Sequence, residues 1–192
     1  MAETMRILGI PGSLRAGSYN RQLLRAAREL APEPMEIELF ELHDIPPYNG
    51  DVEAQGDPEP VAAFKDAIRH AHGLLIATPE YNRGIPGVLK NAIDWASRPP
   101  FGSVLTGKPV AVMGASAGLG GTRRAQQQVR EALAFPKAEV LERPEVLVPR
   151  AYEQFDVDGG LVEESTREAV RALLDALAET ALSRRLTDAV AA

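Results

Sequence analysis

The sequence predicts an α/β protein: a five-stranded parallel sheet with helices on both faces. Three observations predict it. Short apolar runs alternate with stretches of helical periodicity along the whole chain, the pattern of successive β-α units rather than of hairpins. The run Leu74–Ala77 is apolar at every position, as a strand buried on both faces must be. Several of the strand-to-helix connections are rich in Gly, Ser, Asn and Pro, and in open α/β sheets those connections hold the ligand. A length of 192 residues with no internal repeat fits one domain, 1–192, with an ordered core over about 5–182.

Each element has its own signal. Met5–Pro11 is a short apolar run ended by Pro11-Gly12 and reads as the first strand. Ser18 is placed to cap a helix carrying Leu23, Leu24, Ala27 and Leu30 at helical spacing, which stops before Pro32 and Pro34. Met35–Leu42 alternates, with Ile37 and Leu39 against Glu36 and Glu38, the half-polar pattern of a strand near a sheet edge. Residues 44–60, rich in Pro, Gly and Asp, read as a long irregular loop. A helix follows over Glu59–His72, with Val61, Phe64 and Ile68 inward, and then the third strand, Gly73–Thr78. Pro86 fits the first turn of a helix that runs to Ser97. Lys108-Pro109 leads into the fourth strand, Val110–Ala115, and the loop Ser116–Gly121 opens a helix with Ala125, Val129, Ala132 and Leu133. Ala138–Leu141 and Val146–Val148 make a fifth strand interrupted at Pro144. The last helix spans 161–182, with Ala169, Val170, Leu173, Leu174 and Leu177 on its inner face. Five strands in one domain point to the flavodoxin-like, doubly wound arrangement, order 2-1-3-4-5, rather than to the six-stranded dinucleotide fold.

Composition narrows the function. A net charge of −6 argues against a chain devoted to nucleic acid. The absence of cysteine excludes disulfides, thiolate metal sites and a cysteine nucleophile. Met1–Arg6 lacks the charged-then-apolar pattern of a signal peptide, and no apolar run approaches the ~20 residues of a membrane span. The expectation is a cytoplasmic protein without membrane insertion. His43, His70 and His72 have no metal-like spacing and read as surface residues. Trp95 reads as core or subunit contact. Glu163, Glu164, Glu168 and Asp175 read as a solvated helix face, paired in part with Arg167 and Arg171.

Three loops carry the chemistry. In residues 12–20, Gly12 and Gly17 let the backbone turn tightly, Ser13, Ser18 and Asn20 offer donors, and Arg15 brings a fixed charge suited to phosphate. The helix start near Ser18 aims its free N–H groups at the same place. The loop is neither Walker A nor Gly-x-Gly-x-x-Gly; its alternative reading is a capped β-α turn with incidental polar residues. In residues 78–84, Pro79 and the following turn expose backbone N–H groups able to read a pyrimidine-like edge, with Tyr81 and Asn82 adding a ring face and an amide. The alternative is a plain turn in which Tyr81 packs on the core and Glu80 is solvated. Gly114–Gly121 is small enough for a planar ligand to approach its backbone. All three follow strands and fall on one sheet edge, which suggests a mononucleotide bearing a heterocycle.

These residues also resemble a known family. Gly12-Ser13-Leu14-Arg15-x-Gly17-Ser18-Tyr19-Asn20 and the long segment from Pro79-Glu80-Tyr81-Asn82 through Ile85-Pro86-Gly87 to Leu89-Lys90-Asn91-Ala92-Ile93-Asp94-Trp95 resemble the NAD(P)H-dependent FMN reductases, and among them the bacterial quinone/chromate reductases. Arg124 and Gln126 match an Arg-x-Gln pattern in the family's third loop. The resemblance, which runs from about Arg6 to Leu177, implies bound FMN, NADPH or NADH as co-substrate, and hydride passage to quinones, flavin, azo compounds or chromate. It implies a phosphate and ribityl role for Ser13, Arg15, Ser18, Tyr19 and Asn20. It implies contact with the isoalloxazine edge for Pro79, Glu80, Tyr81 and Asn82, largely through backbone, and a place near the flavin for Ser116. It implies no catalytic side chain and no metal, and it implies a homodimer or homotetramer. The sequence departs from the pattern in two places: Arg83 stands where relatives often carry an aromatic or small residue, and Gln127 and Gln128 stand where tetrameric relatives place an aromatic one. The rival functions are an electron-carrier flavodoxin and a non-catalytic flavin-binding protein.

Overall fold

Residues 3–191 are described by a computed structural model, with side chains as far as Thr187. Met1 and Ala2 of the N-terminal segment, and Ala192, lie outside the described residues. The strands are β1 (Met5–Pro11), β2 (Met35–Leu39), β3 (Gly73–Ala77), β4 (Pro109–Ala115), β5 (Glu139–Val140) and β6 (Val146–Val148). The helices are α1 (Tyr19–Leu30), α2 (Gly50–Glu53), α3 (Glu59–His70), α4 (Gly87–Ala96), α5 (Arg123–Ala134), α6 (Ala151–Gln154) and α7 (Glu164–Ala191). All strand pairs are parallel, in the order β2-β1-β3-β4-β5. The flavodoxin-like arrangement expected from the sequence is the one observed, with β2 at the edge.

The fifth position of the sheet is built from two pieces. β5 pairs with the start of β4, through Pro109 and Val110, while β6 pairs with its end, through Met113–Ala115. The intervening segment around Pro144 leaves the sheet, because proline has no N–H to give to the ladder. Three further boundaries differ from expectation. The loop 44–60 contains the short helix α2, capped by the Asn49 side chain. The short helix α6 precedes α7, and α7 begins at Glu164 and runs well past residue 182. Pro86 stands at the cap of α4 rather than inside its first turn.

The period of two along each strand divides the core into two layers. Leu75, Ala77, Ala111, Met113 and Ala115 pack under α1 and α7, on Leu23, Leu24, Val170, Leu174 and Leu177. Leu74, Ile76, Val110 and Val112 face the other way, onto Val61, Phe64 and Ile68 of α3, Leu89 and Ile93 of α4, and Val129 and Leu133 of α5. Trp95 is fully buried in that second layer and donates from Nε1 to the Pro46 carbonyl at 2.8 Å. That bond ties the long loop before α3 to α4. Glu164 pairs with Arg167 and Arg171 on the exposed face of α7. Among the described residues no helix is long and apolar enough to cross a membrane.

Candidate active site

Three loops meet above the C-terminal edge of the sheet: 12–18 after β1, 78–86 after β3 and 116–122 after β4. From β1 the chain crosses to β2 on one side and later to β3 on the other. That reversal opens a crevice between the first two loops, where such sheets bind ligands. The loops enclose a cavity of about 690 Å³, within the ~300–1,000 Å³ of small-molecule sites.

The first loop is fixed by hydrogen bonds that the sequence only hinted at. Ser18 caps α1, its Oγ accepting from Asn20 N at 3.2 Å. The Asn20 side chain crosses to the end of β4, donating to Ala115 O and accepting from Ala115 N, both at 2.8 Å. Its amide therefore holds the start of α1 against β4 and is not free for a ligand. What it sets in place, beside Arg15, is the first turn of α1, where Ser18 Oγ takes Asn20 N, Ser18 O takes Arg21 N, and Tyr19 N has no hydrogen bond among the described residues. Ser13 and Ser18 are each only 3% exposed, and Ser13 Oγ lies 3.2 Å from the Tyr81 hydroxyl. Tyr19 is held at the wall by stacking on Phe155.

The second loop is a two-residue hairpin. Tyr81 N donates to Gly84 O at 3.1 Å and Gly84 N returns a bond to Tyr81 O at 3.0 Å. Asn82 and Arg83 at its tip have φ of 51° and 64°, the positive values that the tightest hairpin turn demands. The hairpin is anchored to α5 twice. Glu80 Oε2 accepts from Arg124 N at 3.0 Å and Ala125 N at 3.3 Å, capping a helix whose own cap residue, Thr122, makes no side-chain cap. Gln128 Oε1 accepts from Ile85 N at 2.9 Å. Because Tyr81 N is spent inside the hairpin, the cavity-lining amides of the loop without a hydrogen bond among the described residues are those of Glu80 and Arg83. The Tyr81 ring is 48% exposed and lines the cavity rather than packing on the core.

The third loop is shaped by Ser116, whose Oγ donates to Gly121 O at 2.8 Å and whose N–H reaches Val148 O at 3.0 Å. Below it, β4 passes so close to Thr122 and to Thr78 O that a Cβ on Gly114 would overlap both.

Ser13, Arg15, Ser18, Tyr19, Asn20, Pro79, Glu80, Tyr81 and Ser116 line this one cavity. Asn82 is not among the lining residues; it sits at the hairpin tip. The structure adds Arg83, Arg124 and Leu119 and the small residues Ala117, Gly118, Gly120 and Gly121. Arg124 was visible in the Arg-x-Gln pattern and Arg83 as a departure, but neither signal assigned a place in the cavity. Arg15, Arg83 and Arg124 form no ion pair among the described residues, whereas Arg21, Arg98, Arg123 and Arg171 each have a carboxylate. The one carboxylate in the lining, Glu80, is engaged by α5 amides. The cavity is thus electropositive, with guanidinium, hydroxyls and a helix N-terminus at one side and backbone amides at the other. That donor set fits FMN, a phosphate joined to a hydrogen-bonding ring. His43 and His70 are exposed, and no group of three or more His, Cys, Asp or Glu among the described residues could hold a metal.

The pattern of the NADPH-dependent FMN reductase family matches residues 5–153. The chain is 49% identical over 177 residues to an NAD(P)H-dependent FMN reductase of Pseudomonas aeruginosa, covering 92% of this chain and 95% of the relative. It is 40% identical over 182 residues to a 2-hydroxy-1,4-benzoquinone reductase of a Burkholderia species, covering 95% and 99%. Among solved structures, the flavoenzyme NAD(P)H:acceptor oxidoreductase FerB of Paracoccus denitrificans superposes with a TM-score of 0.86 at 35% identity, covering 94% of this chain and 99% of that one. A donor-rich cavity on a sheet of this order and kinship over nearly the whole chain agree: this protein belongs to the NADPH-dependent FMN reductase family.

Proposed function

We propose that the protein is an FMN-dependent reductase that carries a hydride from NADPH or NADH to quinones, and that free flavin, azo compounds and chromate also accept from it. One observation carries this reading: Arg15, which has no ion pair among the described residues, and the start of α1 at Tyr19 share a cavity with Pro79, Glu80 and Tyr81. When bound, FMN supplies the hydride chemistry; the protein holds and tunes it. Arg15, with Ser13, Ser18 and the amide of Tyr19, would hold the phosphate, and Asn20 would keep that turn in place against β4. Pro79, Glu80, Tyr81 and Asn82 would frame the ring, where backbone donors favour negative charge. Ser116 keeps the third loop folded so that small residues face the ring. Tyr81 and Leu119, the latter 81% exposed, stand at the rim, and a shared open face implies ping-pong kinetics.

The reading includes a homodimer or homotetramer, supported by the exposed apolar side chains of Phe101, Leu119 and Phe135, and a cytoplasmic location. The test is the visible spectrum of the purified protein before and after anaerobic NADPH. A yellow protein that bleaches, and recolours on adding benzoquinone, is the expected result. Flavin that neither nucleotide bleaches would favour an electron carrier, and a protein that cannot take up FMN would overturn the cofactor assignment. Arg15→Ala should weaken FMN binding at least tenfold; unchanged binding would refute the phosphate role.

A further inference from the structure

Arg83 is the residue that the FMN reading leaves unexplained. Its φ of 64° is a left-handed conformation that costs a non-glycine residue about 1 kcal/mol or more. Asparagine, as at position 82, tolerates such a φ because its short amide bonds locally; arginine has no such excuse. The surroundings enforce it. The paired backbone bonds of Tyr81 and Gly84 close the turn, and Gln128 holds Ile85 N from α5. A Cβ on Gly84 would come within 3.0 Å of Gln128 Oε1, so the seat of that side chain is itself tightly fitted. The result is an exposed guanidinium, without an ion pair among the described residues, on the wall of the cavity.

The charges do not balance against cofactor alone. Arg15 stands beside the α1 N-terminus and is sufficient partner for a phosphate. Arg83, on the hairpin after β3, stands in the loop that frames the ring, and Arg124 lies at the start of α5, where Glu80 already caps the helix. A cation fixed beside the face where second substrates stack raises the local concentration of anions and stabilises them once bound.

Resting on the FMN-reductase reading, we propose that Arg83 is a specificity residue that selects electron acceptors carrying negative charge, the class of hydroxyquinones that are ionised at neutral pH. For a monohydroxybenzoquinone anion, the hydride from NAD(P)H and two protons from solvent give the neutral trihydroxybenzene and NAD(P)⁺. The charge that draws the acceptor in is therefore absent from the product, because phenols stay protonated near pH 7, and the product leaves a site that no longer attracts it.

The test compares wild type with Arg83→Gly and Arg83→Lys. Glycine suits the positive φ, so Arg83→Gly should not lower the melting temperature, and folding does not confound the result. The two probes are 2-hydroxy-1,4-benzoquinone, an anion, and unsubstituted 1,4-benzoquinone; the chain has no cysteine for either to alkylate. In ping-pong kinetics the kcat/KM of an acceptor reports only its own half-reaction. The ratio of kcat/KM for the anionic over the neutral quinone should fall about tenfold in Arg83→Gly, be largely restored by Arg83→Lys, and fall in wild type as salt is raised. Independently of turnover, the dissociation constant of 2-hydroxy-1,4-benzoquinone from the oxidised protein, without nucleotide, should rise about tenfold in Arg83→Gly. An unchanged ratio and unchanged binding overturn the proposal. So does a change confined to the NADPH-over-NADH preference, which would give Arg83 to the 2′-phosphate of the nucleotide. Wild type that takes up no FMN refutes the underlying reading and the role of Arg83 with it; wild type that binds FMN but reduces neither quinone refutes the underlying reading alone, and the binding comparison still decides the role of Arg83.

Discussion

The link between Glu80 and α5 joins stability to cofactor affinity, and its removal has a calculable cost. Glu80 Oε2 accepts from the Arg124 and Ala125 amides, and Thr122 offers α5 no substitute cap. Losing a side-chain cap costs about 1 kcal/mol, and losing a carboxylate from a helix N-terminus adds roughly 0.5 kcal/mol. Glu80→Ala should therefore destabilise the protein by about 1.5 kcal/mol. For a chain of this length that is a fall in melting temperature of about 3–6 °C. Glu80→Gln keeps an acceptor and loses the charge, so its fall should be about 2 °C. The melt must be read by circular dichroism on FMN-free protein, since bound ligand shifts the transition by mass action. The same interaction holds the 80–84 hairpin onto α5. Freeing a loop fixed by about 1.4 kcal/mol lowers affinity by up to tenfold, so FMN fluorescence titration should show Kd rising up to tenfold in Glu80→Ala and about threefold in Glu80→Gln. A Glu80→Ala protein that melts within 1 °C of wild type would refute the capping argument. One that melts early but binds FMN as wild type does would refute the coupling.

Further outcomes are expected elsewhere. Asn20→Ala removes both partners of the buried Ala115 backbone groups and should cost about 2–4 kcal/mol, read by urea unfolding. Gly114→Ala would drive a Cβ into Thr122 and Thr78 O, where backbone cannot yield; it should destabilise by about 3 kcal/mol, and a stable, FMN-binding variant would disprove the close approach. His72 is held below the ordinary histidine range by burial first, then by Arg185, Arg6 and Lys108, with Glu3 opposing. Its Nδ1 also accepts from Arg6 N at 2.8 Å, which favours the neutral ring. Because the unfolded chain takes up this proton more readily, the contribution of His72 is intact above about pH 6.5 and is lost as pH falls through the lowered folded value. His72→Asn, which keeps an acceptor near the Nδ1 position, should flatten the decline of stability between pH 7 and 5; an unaltered slope would remove His72 from the account.

Much of the architecture was legible because it depends on local spacing. Apolar runs such as Leu74–Ala77 can only be strands buried on both faces, and the helical spacing of Val61, Phe64 and Ile68 places one face of α3. The order of turn residues after each strand located the three loops, and the family resemblance named the residues in them. The sequence also marked Ser18 as a cap, because capping needs one residue type at one position. What it could not show is which side chain is already engaged. Asn20 looks like a ligand donor and Glu80 like a solvated carboxylate in a string of letters, yet partners 95 and 44 residues away occupy them. The division of the fifth strand followed from where β4 had edge to offer at each end. Arg83 was only an oddity until the hairpin turned it onto the cavity. Periodicity and turn chemistry are properties of neighbours in the chain, and these determined the fold and the edge of the sheet where the three loops gather. The occupancy of each polar group is a property of neighbours in space, and only the packed structure decided which of them remain free to hold a ligand.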